Sequence, residues 1–125
     1  MSASLAVQQV SKSFRGLQAL ADVSFEIQPN TITALIGPNG AGKTTLFNII
    51  AGAQTPDHGT IVLDGCRIDG LRPDQICRLG IARTFQIVKT FAGLTVLDNV
   101  VIGALSCCTR VKDARERADA ILNNV

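Results

Sequence analysis

An α/β fold is the expectation for this sequence, and three features carry it. Apolar residues alternate near the start. A cluster of glycines at residues 37 to 42 separates a strand-like apolar run from a helix-spaced one. Residues 111 to 125 hold a one-faced helical pattern. At 125 residues the chain is about one domain long, enough to bury a core.

The elements follow in order. "SLAVQQV" and "ADVSFEIQ" show rough period-two alternation and close in "SKSFRG" and "QPN", so both read as half-buried strands. "TITALI", residues 31 to 36, is short, apolar and rich in Thr and Ile, which suits a strand covered on both faces. After the glycines, Leu46, Ile49 and Ile50 fall on one helix face, and Gly52 is the expected stop. "GTIVLDG", residues 59 to 65, is a further strand between glycine turns, and "RPDQICRLG" is a short helix with Pro73 at its first position and Gly80 at its end. "IARTF" reads as a strand leading into Gln86. In "TVLDNVVIGAL", Thr95 and Asp98 form a capping pair ahead of an apolar run.

The last segment places Val111, Ala114, Ala118, Ile121, Leu122 and Val125 on one face. Opposite them, Lys112–Glu116, Asp113–Arg117 and Arg115–Asp119 stand at i, i+4 with opposite signs. That pattern describes a solvated face and says nothing about function. The chain stops at "ILNNV" on the apolar face, so the sequence is expected to be a truncated piece of a longer chain.

Residues 37 to 44 carry the chemistry. Gly37-Pro38-Asn39-Gly40-Ala41-Gly42-Lys43-Thr44 fits G-x-x-x-x-G-K-[ST]. The glycines let the loop turn so that successive N–H groups converge on an anion. A helix starting near Lys43 offers its first N–H groups and the positive end of its dipole to the same anion. Lys43 reaches the β- and γ-phosphates with a compact charge, the Thr44 hydroxyl is placed for Mg²⁺, and Thr45 serves the α-phosphate side. Phosphate binding is the conclusion; small GTPases, nucleotide kinases, helicases and transporter ATPases all share such a loop.

Other chemistries are poorly supported. Twelve basic and ten acidic residues leave a net charge of +2, scattered along the chain, and Phe is the sole aromatic type, so a nucleic-acid surface is not expected. Cys66, Cys77, Cys107 and Cys108 show no CxxC spacing, and the lone His58 does not complete a zinc site. The start lacks the basic and apolar regions of a signal peptide, and no apolar run is long enough to span a membrane.

Taken together, "GPNGAGKTTL" at 37 to 46, "PDHGTIVLDG" at 56 to 65 and "RTFQ" at 83 to 86 resemble the ATP-binding subunit of an ABC transporter. The opening "VSKSFRGLQALADVSFEI" is similar to that family's first strands. "LGIARTFQIVKTFAGLTVLDNVVIGAL" is similar to the subunits of branched-chain amino acid importers. The resemblance implies a P-loop NTPase core of RecA-like type, an N-terminal antiparallel β-subdomain and the start of a helical subdomain, with residues 1–125 as the N-terminal part of the nucleotide-binding domain. Within it, 5–36 and 56–70 would be the β-subdomain and core strands, 37–52 the phosphate loop and helix, 81–86 the strand before Gln86, and 87–125 the helical start.

The resemblance also implies roles. ATP and Mg²⁺ would be the cofactors. Phe14 would stack on adenine; Gly37, Pro38, Asn39, Gly40, Ala41, Gly42, Lys43, Thr44 and Thr45 would hold the nucleotide. Gln86, 43 residues after Lys43, would join the Mg²⁺ shell, orient the attacking water and contact the membrane partner. Lys43 and Gln86 would be the catalytic pair, with Thr44 and Gln86 at the metal. Partners would be transmembrane permease subunits, a second nucleotide-binding subunit identical or different, and indirectly a periplasmic or extracellular solute-binding protein, with no nucleic acid. The protein would sit peripherally on the cytoplasmic face of the membrane and energise solute uptake, with branched-chain or other hydrophobic amino acids as the cargo.

Residues 87 to 125 contain no Leu-Ser-Gly-Gly-Gln-type signature, no apolar strand ending in Asp-Glu and no switch histidine. The 125 residues alone are therefore expected to bind ATP without turning it over. Two competing readings stand beside this one. The first is a regulatory nucleotide-binding module that never hydrolyses. The second is a soluble kinase or GTPase, which the absence of Asn-Lys-x-Asp disfavours.

Overall fold

The computed structural model describes residues 4–125. Strands β1 (Leu5–Phe14) and β2 (Leu17–Ile27) are followed by helix α1 (Lys43–Ile50), strands β3 (His58–Leu63) and β4 (Cys66–Arg67), and helices α2 (Pro73–Arg78), α3 (Val96–Ala104) and α4 (Val111–Leu122). The chain divides into two compact units, the first ending at Ile81 and the second running Ala82–Val125.

In the first unit the four strands form one antiparallel sheet in the order β2-β1-β3-β4. Two tight hairpins build it. Arg15 and Gly16 (φ 48° and 86°) join Phe14 to its cross-strand partner Leu17, and Asp64 and Gly65 (φ 49° and 79°) join Leu63 to Cys66. Two consecutive positive φ values are what a type I′ turn requires, and its twist suits a hairpin. The register of β1 is irregular between Val7 and Ser13 on both sides. There the Gln9 N–H donates to Ser24 Oγ at 2.8 Å and the Asp22 N–H to Ser11 Oγ at 2.9 Å. Hydroxyls thus replace ladder bonds that the bulges remove.

Helix α1 lies against this sheet. Leu46, Ile49 and Ile50, the face expected from their spacing, are buried with Val7, Val10, Leu20, Ile61, Leu63 and Ile68. Burying each such side chain contributes on the order of 2 kcal/mol. The helix ends at Ile50 and Gly52 turns the chain at φ 74°. Helix α2 starts at Pro73, whose missing N–H would have had no helical partner, and ends at Arg78, with Gly80 (φ 103°) just beyond its cap Leu79.

Two expected strands are absent. Residues 31–36 carry no strand, and Ile32 and Ile36 are 104% and 90% exposed. A strand covered on both faces belongs in the middle of a parallel sheet and needs hydrogen-bonded neighbours on either side. Among the described residues the one sheet is antiparallel, with β2 and β4 at its edges. Residues 81–85 likewise carry no strand, for the same want of a partner.

In the second unit, α3 and α4 pack through Val101, Ala104, Ala114 and Ala118. Thr95 caps α3 as expected: its Oγ1 accepts the Asp98 N–H at 3.1 Å and donates to Asp98 Oδ2 at 2.7 Å. Asn99 was not foreseen. Its Oδ1 accepts the Phe91 N–H and its Nδ2 donates to the Thr95 carbonyl, both at 2.9 Å, which pins residues 91–95 onto the helix. Of the three expected charge pairs on α4, Lys112–Glu116 is seen at 4.0 Å; Asp113 is bound instead by Arg110 at 2.9 Å, and Arg115 points to Asp98 at 3.8 Å.

Candidate functional site

The loop from Gly37 to Gly42 hands the chain from the exposed run 31–36 to helix α1. Pro38 and Ala41 bracket its turn, the Ala41 N–H donating to the Pro38 carbonyl at 3.2 Å. Gly40 and Gly42 take φ of 83° and 86°, a region that side-chain-bearing residues enter only at a cost. Gly42 has a second constraint. A Cβ there would run into the Ala19 carbonyl oxygen and lie 2.8 Å from Leu20 Cδ2, so only glycine lets the loop sit on strand β2.

Main-chain N–H groups and the Lys43 ammonium are among the donors of this loop. The Gly42 carbonyl accepts the first helical bond, from the Leu46 N–H at 2.9 Å, so the N–H groups of Lys43, Thr44 and Thr45 precede the helical ladder. No side chain caps α1, and no acidic residue stands in its first turn. The positive end of the helix therefore meets no protein carboxylate there. Lys43 folds back over the loop and its Nζ donates to the carbonyls of Gly37 at 2.5 Å and Pro38 at 2.6 Å. Thr44 is exposed and Thr45 half-buried. A small hollow of about 90 Å³ lies beside the loop, bordered by Leu20, Val23, Leu35, Ala41, Gly42 and Lys43 among others.

This arrangement suits an anion of phosphate kind. A glycine-bearing turn, an uncapped helix start and the Lys43 ammonium stand together. Gly37, Pro38, Asn39, Gly40, Ala41, Gly42, Lys43, Thr44 and Thr45 run consecutively from the loop into the first turn of α1.

Phe14 is the last residue of β1, next to the Arg15–Gly16 turn, and is 39% exposed. The Lys12 ammonium lies 5.6 Å from its ring centroid. Lys12 in turn is paired with Asp57 at 2.7 Å, and the Ser13 N–H donates to the other Asp57 oxygen at 2.7 Å. The Lys12 ammonium and the Ser13 N–H hold the Asp57 carboxyl below the usual carboxylate range. The sequence offered no signal for this trio beyond the turn "PDHG", since Lys12 and Asp57 are 45 residues apart.

Gln86 belongs to the second unit and is exposed, in a stretch without regular structure. Just before it, the Arg83 guanidinium lies 5.1 Å from the Phe85 ring centroid. Arg83, Thr84, Phe85, Val88 and Lys89 border an open concavity of about 470 Å³, larger than the hollow at the glycine loop. Both are walled mostly by carbon; the smaller one borders Gly42 and Lys43 of the glycine loop.

Comparison with known proteins adds three findings. The family model described as ABC transporter matches residues 20–125. The chain is 45% identical over 98 residues to the high-affinity branched-chain amino acid transport ATP-binding protein LivG of Escherichia coli K12, covering 78% of this chain and 38% of that protein. It is 40% identical over 114 residues to the sulfate/thiosulfate import ATP-binding protein CysA of Pseudomonas syringae pv. tomato, covering 91% of this chain and 32% of that one. Among solved structures, the ADP conformation of an ATP-binding cassette of an ABC transporter superposes with a TM-score of 0.75 at 34% identity, over 86% of this chain and 42% of that one. The chain thus spans about two fifths of the relatives it matches.

Proposed function

The chain belongs to the ABC transporter family, and from that premise we propose that it supplies the nucleotide-gripping part of the ATP-binding subunit that powers a transporter. Its fold is that of the family's ATP-binding cassettes, α/β proteins of the P-loop class. The observation that carries the reading is the loop Gly37–Gly42, which opens an uncapped helix with the Lys43 ammonium folded into it.

The residues take the following parts. The N–H groups of Gly42 to Thr45 at the loop's end and the helix start would donate to phosphate oxygens, and Lys43 would exchange its two carbonyl partners for the β- and γ-phosphates. Thr44 offers its hydroxyl to Mg²⁺ and Thr45 serves the α-phosphate side. Among the described residues no group of three or more His, Cys, Asp or Glu stands together as a metal site. Phe14 would stack on the adenine, and Gln86 would offer a neutral amide oxygen to the metal and the attacking water. ATP, when bound, supplies the phosphoryl group whose transfer to water releases the energy for transport.

In this reading 5–36 and 56–70 belong to the β-subdomain and core, with strands ending at Ile27 in the first of these, 37–52 are the phosphate loop with its helix, 81–86 the lead into Gln86, and 87–125 the start of a helical subdomain. Among the described residues no helix is long and apolar enough to cross a membrane. The subunit would act at the cytoplasmic face, paired with a second nucleotide-binding subunit and coupled to transmembrane permeases. Import of branched-chain or related hydrophobic amino acids is the favoured task, because the LivG relative carries that name and exceeds the sulfate-type relative in identity. Neighbouring genes for two permeases and a solute-binding protein would support it.

Phosphate release at saturating Mg·ATP tests the catalytic side. The 125-residue chain should release none above background. Robust release that disappears in Lys43→Ala would show that its residues already contain a complete catalytic set.

A further inference from the structure

We propose that Lys12 and Asp57 are positioning residues for the nucleotide base, holding the Phe14 ring as a fixed platform. The inference rests on the reading of Phe14 as the surface on which adenine stacks.

Asp57 grips three consecutive residues of β1. Its N–H donates to the Ser11 carbonyl at 2.9 Å, one carboxylate oxygen pairs with Lys12 Nζ at 2.7 Å, and the other accepts the Ser13 N–H at 2.7 Å. The next residue is Phe14. These contacts fall where β1 loses its regular register with both neighbours, between Gln8 and Ser11 against β3 and between Lys12 and Ser13 against β2. Ser13 and Phe14 still pair with Gln18 and Leu17 on β2, and the Asp57 carboxylate adds a second hold on the end of the strand.

Lys12 adds the second half. Its side chain is only 16% exposed, unusual for a lysine on a small sheet, and its ammonium stands 5.6 Å from the Phe14 centroid. The ring quadrupole attracts a cation to its face. A ring held from one face by a charge cannot flap freely, and a base meets it already oriented. Pre-orientation strengthens stacking because less side-chain freedom is lost on binding.

The test uses the full chain and two probes, Mg·ATP and Mg-tripolyphosphate, which has the anion without the base. Phe14→Ala should weaken ATP about tenfold. Lys12→Met, which keeps the side-chain length, should weaken ATP roughly three- to fivefold and leave tripolyphosphate affinity within about twofold. Asp57→Asn should act in the same direction, and Lys12→Arg should restore ATP affinity. In the Phe14→Ala background, Lys12→Met should cost nothing further. Equal loss of both probes in Lys12→Met, or ATP affinity indifferent to it, overturns the proposal. A Lys12→Met effect that persists without the Phe14 ring also overturns it. Lys43→Ala separates the two levels: it should weaken both probes, and its failure to do so would sink the phosphate site itself.

Discussion

Gly42 and Ala19 approach so closely that a single added methyl on Gly42 would meet the Ala19 carbonyl oxygen. The contact ties the glycine loop to strand β2, and it separates two glycines that look equivalent in sequence. Gly40, at φ 83°, has nothing within 4 Å of where its Cβ would be. Gly40→Ala should therefore cost only the left-handed backbone, roughly 1–2 kcal/mol. Gly42→Ala adds a collision that the β2 backbone must absorb, for a total of about 3–5 kcal/mol. Denaturant titration of both variants checks the order; equal losses would contradict it.

Asp69 ties the β3 end to the following turn. It accepts the Ile61 N–H at 2.9 Å and a two-pronged Arg67 guanidinium at 2.7 to 3.0 Å, with its side chain only 8% exposed. Burial pushes its carboxyl up, but the Arg67 guanidinium and the Ile61 N–H outweigh that, and the pKa sits below the ordinary value. A carboxylate whose folded pKa is depressed stabilises the fold above the unfolded pKa near 4, and that contribution is lost as pH falls through the folded value. Asp69→Asn should thus cost about 1–2 kcal/mol at pH 7, and the gap to the parent chain should shrink below about pH 4. A gap constant from pH 7 to pH 3 would contradict the assignment.

Asn99 anchors the stretch 91–95 with hydrogen bonds to Phe91 and Thr95. Asn99→Ala should speed amide hydrogen exchange at Phe91 by more than tenfold. Loss of one such net bond is worth about 1 kcal/mol and two act together here. Thr95→Ala removes the cap instead and should cost about 1 kcal/mol. Unaltered Phe91 exchange in Asn99→Ala would show that other contacts hold the segment.

The exposed run 31–36 makes a solubility prediction. Ile32, Leu35 and Ile36 are all exposed in a β-prone, uncharged stretch. Such a segment templates association between chains. Ile36→Lys should lower concentration-dependent scattering of the 125-residue chain several-fold. No change would show that other surfaces drive association.

What could be read from the sequence, and what could not, divides along chain separation. The caps at Thr95 and Pro73 and the glycines of the loop were legible because each acts within a few residues of itself. Residues 31–36 were misread as a strand because an apolar run states that a strand is possible, while pairing depends on partners elsewhere. For the last helix, periodicity picked Val111, Ala114, Ala118, Ile121, Leu122 and Val125 as one face, and of these Ala114 and Ala118 are buried while Val111, Ile121 and Val125 are exposed. Small side chains let α3 and α4 meet, and periodicity cannot weigh size. The Lys12–Asp57 clamp joins residues 45 apart, so no local pattern could announce it. Phe14 was flagged; what steadies it was not.

The central claim is that the loop from Gly37 to Thr45 binds the phosphates of a nucleotide. Calorimetric titration of Mg·ATP into the chain, beside Lys43→Ala, measures it most directly. Saturable uptake that falls at least tenfold in Lys43→Ala is the predicted result. No heat of binding in the folded parent chain, or equal affinity in the variant, would contradict it.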